Sequence, residues 1–98
     1  MTVAILGGID RLKQNYEKQG KNFGVNLRVF SQRVPNLPKR LGDVKGIVLF
    51  TGTISHPMVV EASQAAKKYG IPIERCHSSS ISGLKRCLEQ MEQKGRLS

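Results

Sequence analysis

The fold of this chain is decided by one stretch, Ile47-Val48-Leu49-Phe50-Thr51-Gly52-Thr53-Ile54-Ser55-His56-Pro57. Its first four residues form an unbroken apolar run, which is typical of a strand that is buried on both faces of a parallel sheet. Hydroxyl side chains and a histidine follow the run, and the proline is suited to the first turn of a helix. The stretch therefore predicts a central strand that leads through a polar loop into a helix.

The rest of the chain repeats this alternation of strand and helix. Apolar runs predict further strands over 3–6, 25–30 and 71–76, and the proline at 72 favours an edge position for the last one. Apolar side chains at helical spacing predict helices over 9–19, 57–69 and 81–91, and a short helix is expected between 38 and 42. Strands that alternate with helices pair in parallel through right-handed crossovers.

These elements predict one small domain over residues 1–98. The expected fold is doubly wound α/β, similar to Rossmann and flavodoxin domains, with a four-stranded parallel sheet in the order 2-1-3-4. The tail from about residue 94 is expected to fray. In this order the loops 7–10, 51–56 and 76–82 meet at the carboxyl edge of the sheet, which is where open α/β sheets bind ligands.

The chain is strongly basic. Sixteen Lys and Arg residues against seven Asp and Glu residues give a formal charge of +9 at pH 7, which attracts polyanions and makes nucleic acid a candidate partner. The basic residues are scattered along the chain, without a dense tract or an interleaved aromatic platform. A basic surface without a specific partner is therefore the alternative interpretation.

The sequence also predicts the compartment and the state of the cysteines. The chain has no apolar run of transmembrane length and no secretion signal at its start, so we expect a cytoplasmic protein without a membrane partner. Cys76 and Cys87 form no C-x-x-C motif and are expected to be reduced thiols. Cys87 is expected in the core, and Cys76 is not favoured as a nucleophile because a short strand readily buries a thiol.

The first candidate site follows the first strand. Gly7 and Gly8 allow close approach of the backbone, and the helix that follows offers free N–H groups to an anion. Arg11 is placed to bind a phosphate or a carboxylate. The alternative is a tight turn without a ligand and a solvated arginine, since the sequence forms neither a G-x-G-x-x-G fingerprint nor a Walker motif.

The second candidate site combines the two histidines. His56 stands at a predicted helix start, where the helix dipole favours a neutral ring, and Thr51 and Ser55 precede it. His77 leaves the adjacent strand at the same level, and convergent polar groups of this kind mark binding sites. The alternative interpretations are that the histidines have only a structural role and that Ser55 only caps the helix.

A run of serines follows His77, and a metal is the other ligand that the histidines suggest. Ser79 and Ser80, with their neighbours, combine hydroxyls with the N–H groups of a helix start, which suits phosphate or carboxylate. One serine is expected to cap that helix. His56 and His77 could instead hold a transition metal, or a non-covalent haem with one histidine from each subunit of a homodimer.

Four features together resemble a bacterial family that is known only as domain of unknown function number two-three-two-five. They are Gly7-Gly8, Tyr16, the segment 51–56 and the segment 77–82. The resemblance covers nearly the whole chain and implies a small Rossmann-like domain. It also implies functional interest in six residues, which are Gly7, Gly8, Ser55, His56, Ser79 and Ser80, but no particular reaction.

Three classes of function are consistent with these observations. The first is a non-catalytic or regulatory module that holds a small anionic ligand, such as a phosphate, nucleotide or carboxylate, on a rim formed by Gly7, Gly8, Arg11, Thr51, Ser55, His56, His77, Ser79 and Ser80. The second is haem or metal binding through His56 or His77, and the third is non-specific nucleic-acid binding. An enzyme is less favoured because the chain offers no paired carboxylates, nucleophile elbow or triad. Two open sheet edges favour a homo-oligomer.

Overall fold

The computed structural model describes residues 1–97, and its helices and strands alternate as predicted. The strands are β1 (Thr2–Leu6), β2 (Asn26–Phe30), β3 (Gly46–Phe50) and β4 (Ile73–Cys76). The helices are α1 (Lys13–Asn22), α2 (Leu37–Arg40), α3 (His56–Tyr69) and α4 (Ile81–Gln93), and a single 3₁₀ turn, Asp10–Leu12, precedes α1. None of the helices within residues 1–97 has both the length and the apolar character needed to cross a bilayer.

The four strands form one parallel sheet in the order β2-β1-β3-β4. This arrangement confirms the predicted fold class, strand order and doubly wound topology. All five residues of β3 are buried, as the unbroken apolar run predicted for a strand at the centre of the sheet. The switch in winding direction falls between β1 and β3.

The two faces of the sheet are covered by different helices. Alternate residues of β1 belong to separate core clusters, with Val3 and Ile5 in one and Ala4 and Leu6 in the other. The first cluster contains side chains of α1 and α4, and the second contains side chains of α2 and α3. The sheet is therefore sandwiched between two helical layers, which leaves its carboxyl edge as the place where the loops meet.

Two predicted helix features differ from the structure. The first helix was expected from Ile9, but the chain is still extended there, the Ile9 side chain is 37% exposed, and α1 begins only at Lys13. The cause lies in Gly7 and Gly8, whose positive φ angles of 92° and 94° delay the turn into the helix. Tyr69 was expected on the buried stripe of α3, but it is the last residue of the helix and is 40% exposed.

Two residues that follow α4 contact β4. Lys94 and Arg96 both pair with the buried carboxylate of Glu74, and the fraying expected from about residue 94 stays a prediction. Leu97 packs against the first core cluster. Ser98 lies outside the described residues.

Candidate functional site

The loops that follow β1, β3 and β4 are joined by hydrogen bonds at the carboxyl edge of the sheet. The Gly8 N–H donates to Thr53 Oγ1 over 2.7 Å, and Thr53 Oγ1 lies 3.0 Å from Ser79 Oγ. The three loops therefore meet at the point that the strand order predicted. We call Gly8, Thr53 and Ser79, together with Tyr16 of α1, the loop junction.

Tyr16 connects α1 to this junction. Its hydroxyl donates to the Ser79 carbonyl oxygen over 2.5 Å and accepts the Ile9 N–H over 3.1 Å. Its ring is fully buried and packs at a tilted angle against Phe50, with 5.2 Å between ring centroids. Both ends of the side chain thus have partners, and Tyr16 connects α1, β3 and the loop after β4.

Thr53 and Tyr16 were missed as site residues by the sequence analysis. Thr53 belongs to the run of alternating hydroxyl residues after β3, and this run is the only signal that pointed to it. Tyr16 has the spacing of a core residue, and nothing in the sequence indicates which group its hydroxyl contacts. The contacts depend on the tertiary fold.

Gly7 and Gly8 allow the loops at the carboxyl edge of the sheet to pack closely. The Gly7 N–H donates to the Phe30 carbonyl oxygen over 2.9 Å, and the Gly8 N–H is bonded to Thr53. A Cβ atom on Gly8 would lie 3.0 Å from the Tyr16 ring and 3.1 Å from the Phe50 ring. Both N–H groups therefore already have acceptors within the protein.

The start of α3 is open. Ser55 occupies the cap position with extended backbone angles, but its side chain makes no capping hydrogen bond. Thr51, Ser55 and His56 are all exposed, and Pro57 occupies the first turn. The first N–H groups of a helix lack intrahelical partners and carry its positive dipole end. Pro57 has no N–H, and the Val59 N–H donates to the Ser55 carbonyl oxygen over 3.2 Å. The donors at this end of α3 are therefore the N–H groups of His56 and Met58, next to exposed hydroxyl and imidazole groups.

The start of α4 is closed by its own serines. Ser80 Oγ accepts the Gly83 N–H over 3.0 Å, which confirms the predicted serine cap. The Ser80 hydroxyl also lies 2.8 Å from the Ser78 hydroxyl and 3.3 Å from the Ser82 hydroxyl. A Cβ atom on Gly83 would lie only 2.8 Å from the Ser78 carbonyl oxygen, so glycine allows this loop to lie against the helix.

The two histidines lie in different surroundings. His77 is exposed and lines a cavity of about 310 Å³ between β4 and α4, and His56 is not among the residues that line this cavity. Within residues 1–97, no cluster of three or more His, Cys, Asp or Glu side chains has an arrangement that could hold a metal ion.

The loop after β1 carries two charged side chains, of which one is exposed and the other accepts hydrogen bonds within the protein. Arg11 is exposed within the 3₁₀ turn. The Asp10 carboxylate accepts hydrogen bonds from the Ser31 hydroxyl and the Gln32 amide, so it ties this loop to the end of β2. Arg11 is therefore the residue of this loop that can meet a ligand.

A basic groove, which we name the β2 groove, runs along the open edge of β2. It has a volume of about 660 Å³, and its lining includes Lys13, Arg28, Lys39 and Arg40. Arg28 also pairs with Asp43 over 3.2 Å, and its hydrogen bond and charge lower the pKa of that exposed carboxyl. Cations that are scattered in the sequence are thus gathered in space, a feature that the sequence analysis did not predict.

A comparison with family models gives one match. The model of DUF2325, described as an uncharacterized protein conserved in bacteria, matches residues 2–91. The chain belongs to this family. The match to DUF2325 covers all four strands and reaches into α4, and it confirms the resemblance that was seen in the sequence. No curated protein and no solved structure matches this DUF2325 chain.

Proposed function

We propose that this protein is a binding module for a small anionic ligand that carries a phosphate or carboxylate group. The proposal rests on one observation, the open start of α3, which lies beside the loop junction at the switch point between β1 and β3. In doubly wound sheets, ligands bind in the crevice outside the carboxyl ends of the strands at such a point. A nucleotide phosphate, a free phosphate and a carboxylate share the chemistry that a helix start recognises.

The groups at the start of α3 suit an anion. The Ser55 hydroxyl and the His56 imidazole are exposed at the first turn, and Thr51 is an exposed hydroxyl residue of the loop that leads into it. Arg11 is an exposed cation of the loop after β1, and in this proposal it is the cation that meets the anion. The dipole alone contributes about 0.3–1 kcal/mol, whereas millimolar affinity already needs about 4 kcal/mol. Binding therefore requires several of these side chains together.

The other residues that the sequence singled out have supporting roles in this proposal. Gly7, Gly8 and Ser79 hold the loops in place, and Ser80 caps α4. A junction that is already ordered lowers the entropy that a ligand loses on binding. His77 lines a separate cavity, so we assign it no contact with the anion.

Titration of ¹⁵N-labelled protein with inorganic phosphate tests the proposal. We expect saturable shifts of the backbone amide resonances within 51–58. Ser55→Ala and His56→Ala should each weaken phosphate binding about five-fold, as expected for one lost hydrogen bond of about 1 kcal/mol. Ser63→Ala is the matched control, because Ser63 is an exposed serine further along α3. A response elsewhere or nowhere would overturn the proposal, and unchanged affinity of His56→Ala would remove that residue from the site.

The β2 groove supports a second candidate function, which is the binding of nucleic acid through its phosphates. Its four cations meet the requirement of an extended basic surface. With a labelled single-stranded oligonucleotide, we expect affinity to fall steeply with salt. Lys13→Gln and Lys39→Gln should each reduce the slope of log K against log salt by about 1, and Lys67→Gln on α3 is the control. Equal effects of all three variants would show attraction by net charge alone.

Haem or metal binding through His56 or His77 is the remaining proposal, and a second copy of the chain would supply a further histidine. One histidine from each subunit of a homodimer would supply two axial ligands. Two buried free thiols are consistent with a cytoplasmic location for such a dimer. Purified protein should then carry stoichiometric metal and elute as a dimer, and a metal-free monomer that takes up neither haem nor zinc would exclude it.

A further inference from the structure

Cys76 and Cys87 line the same cavity. This cavity of about 310 Å³ lies between β4 and α4, and its lining also includes Arg75, His77 and Arg86. Both cysteines are free and belong to one core cluster, and they are only 6% and 4% exposed. The thiols are therefore shielded from bulk solvent but lie at a space that is large enough for a small reagent.

The crossover from β4 to α4 places the two cysteines at one cavity. Cys76 is the last residue of β4, and Cys87 lies on the buried face of α4. In its protonated form Cys76 Sγ donates to the Ser78 carbonyl oxygen over 3.1 Å. Gly83 allows the Ser78 loop to lie against α4, as described above. The same loop thus forms one wall of the cavity and holds the Cys76 side chain.

The two thiols have opposite tendencies to ionise. The Cys87 side chain, as a hydrogen-bonding neighbour, lowers the pKa of Cys76 to about 7 against the effect of burial, and Arg86 acts in the same direction. The contact with Cys76, together with burial, raises the pKa of Cys87. Such a coupled pair loses its first proton readily and keeps its second.

Charged and titratable groups from each neighbouring element surround the pair. Arg86 lies on α4, Lys94 directly follows that helix, and Glu74 lies on β4. Glu74 raises the pKa of Cys87, whereas Lys94 lowers it. Tyr16 of α1 belongs to the same core cluster, and His77 lines the cavity from the loop.

We propose that Cys76 and Cys87 form a peroxide-reactive dithiol site, in which Cys76 is oxidised first and Cys87 closes an intramolecular disulfide. The Cys76 thiolate attacks one oxygen of a hydroperoxide such as hydrogen peroxide, the O–O bond breaks, and hydroxide leaves and takes up a proton as water. The resulting sulfenic acid is attacked at sulfur by Cys87, which forms the S–S bond and releases a second water. Two thiols and one hydrogen peroxide thus give one disulfide and two waters, and the peroxide gains the two electrons that the thiols lose. This arrangement of an ionisable thiol beside a resolving thiol is the one that redox-sensitive cysteines use.

Intact-mass spectrometry after treatment with hydrogen peroxide and then iodoacetamide tests this site. With the iodoacetamide added in denaturant, so that every remaining thiol is alkylated, we expect both thiols of the wild type to disappear together, with a mass loss of two hydrogens and no crosslinked dimer. Without peroxide, the alkylation rate of Cys76 should reach half its maximum near pH 7. Both measurements use the unmodified chain and do not depend on the folding of a variant.

Two variants separate the roles of the thiols. In Cys87→Ala, the alkylation midpoint of Cys76 should rise toward the usual thiol value of about 8.5, and peroxide should leave a sulfenic acid that dimedone traps. In Cys76→Ala, the alkylation midpoint of Cys87 should fall to a lower pH than in the wild type, because the contact with Cys76 that raises its pKa is lost. Independent alkylation of both wild-type thiols at ordinary pH values, or peroxide treatment that gives no intramolecular disulfide, would overturn the proposal.

Discussion

Tyr16 joins the hydrophobic core to the site. Its ring packs against Phe50, and its hydroxyl satisfies both the Ile9 N–H and the Ser79 carbonyl oxygen. If the hydroxyl is lost, a partly buried donor and a partly buried acceptor remain without this partner. The position of the loop after β4 therefore depends on one oxygen atom of α1.

Tyr16→Phe should lower the free energy of unfolding by about 1–3 kcal/mol, the cost of leaving polar groups unsatisfied. Urea denaturation measures this change. Tyr69→Phe is the matched control, because Tyr69 is 40% exposed and its hydroxyl should contribute less than about 0.5 kcal/mol. Equal stability of the two variants would show that the Tyr16 hydroxyl contributes nothing beyond its ring.

At the scale of elements, α3 and α4 both follow a serine, but the two serines have different hydrogen bonds. Each is preceded by a serine with extended backbone angles, yet only Ser80 accepts a hydrogen bond from its helix. The Ser55 hydroxyl is left available at the open start of α3. Ser55 is therefore a candidate ligand group, whereas Ser80 is a capping residue.

Ser80→Ala should therefore destabilise the protein by about 0.5–2 kcal/mol, the usual contribution of a side-chain cap. Ser55→Ala should change the free energy of unfolding by less than about 0.5 kcal/mol. Thermal or urea unfolding of both variants provides the comparison. A loss of stability in Ser55→Ala as large as that in Ser80→Ala would mean that Ser55 caps α3 in solution.

The elements could be predicted from the sequence because their signals are local. The apolar run of β3 and the spacing of Leu84, Leu88 and Met91 depend only on neighbouring residues, and both predictions are confirmed. The hydrogen bond from Gly8 to Thr53 spans 45 positions of sequence, and the bond from Tyr16 to Ser79 spans 63. Partners that are so far apart become neighbours only after the sheet has formed, so the loop junction could be placed at an edge but not assigned atom by atom.

At the scale of the whole molecule, Glu74 ties the C-terminal end of the chain to the sheet. Its Oε1 lies 2.8 Å from Lys94 Nζ and 2.7 Å from Arg96 Nη1, and its side chain is only 9% exposed. Glu61, whose side chain is 16% exposed, pairs with Arg33 at a similar distance of 2.8 Å, and that arginine is 62% exposed. Glu74 is thus the more buried carboxylate and has two cationic partners, whereas Glu61 has one partner that is mostly in solvent.

Glu74→Gln should lower the free energy of unfolding by about 1.5–3 kcal/mol, because hydrogen bonds to a charged group are stronger than neutral ones. Glu61→Gln, the matched control, should cost no more than about 1 kcal/mol, since a solvated ion pair contributes little. Urea unfolding at low and high salt compares the two. If Glu74→Gln lowers the free energy of unfolding by no more than Glu61→Gln does, Lys94 and Arg96 do not hold the Glu74 carboxylate in solution.

The positive charge of the molecule was evident from the sequence, but its distribution was not. Lys13, Arg28 and Lys39 belong to different elements, and only the docking of α1 and α2 on either side of β2 brings them to one groove. Net charge depends on composition alone, whereas a binding surface depends on the tertiary fold.

The position of Tyr16 also allows the candidate site to be followed by spectroscopy. The chain has no tryptophan and two tyrosines, of which Tyr69 is exposed and Tyr16 is buried and hydrogen-bonded to the loop junction. In Tyr69→Phe, Tyr16 becomes the sole tyrosine, so its near-ultraviolet circular dichroism and emission report on the loop that it holds. A ligand that moves this loop can then be followed in unlabelled protein by the optical signal of a single phenol.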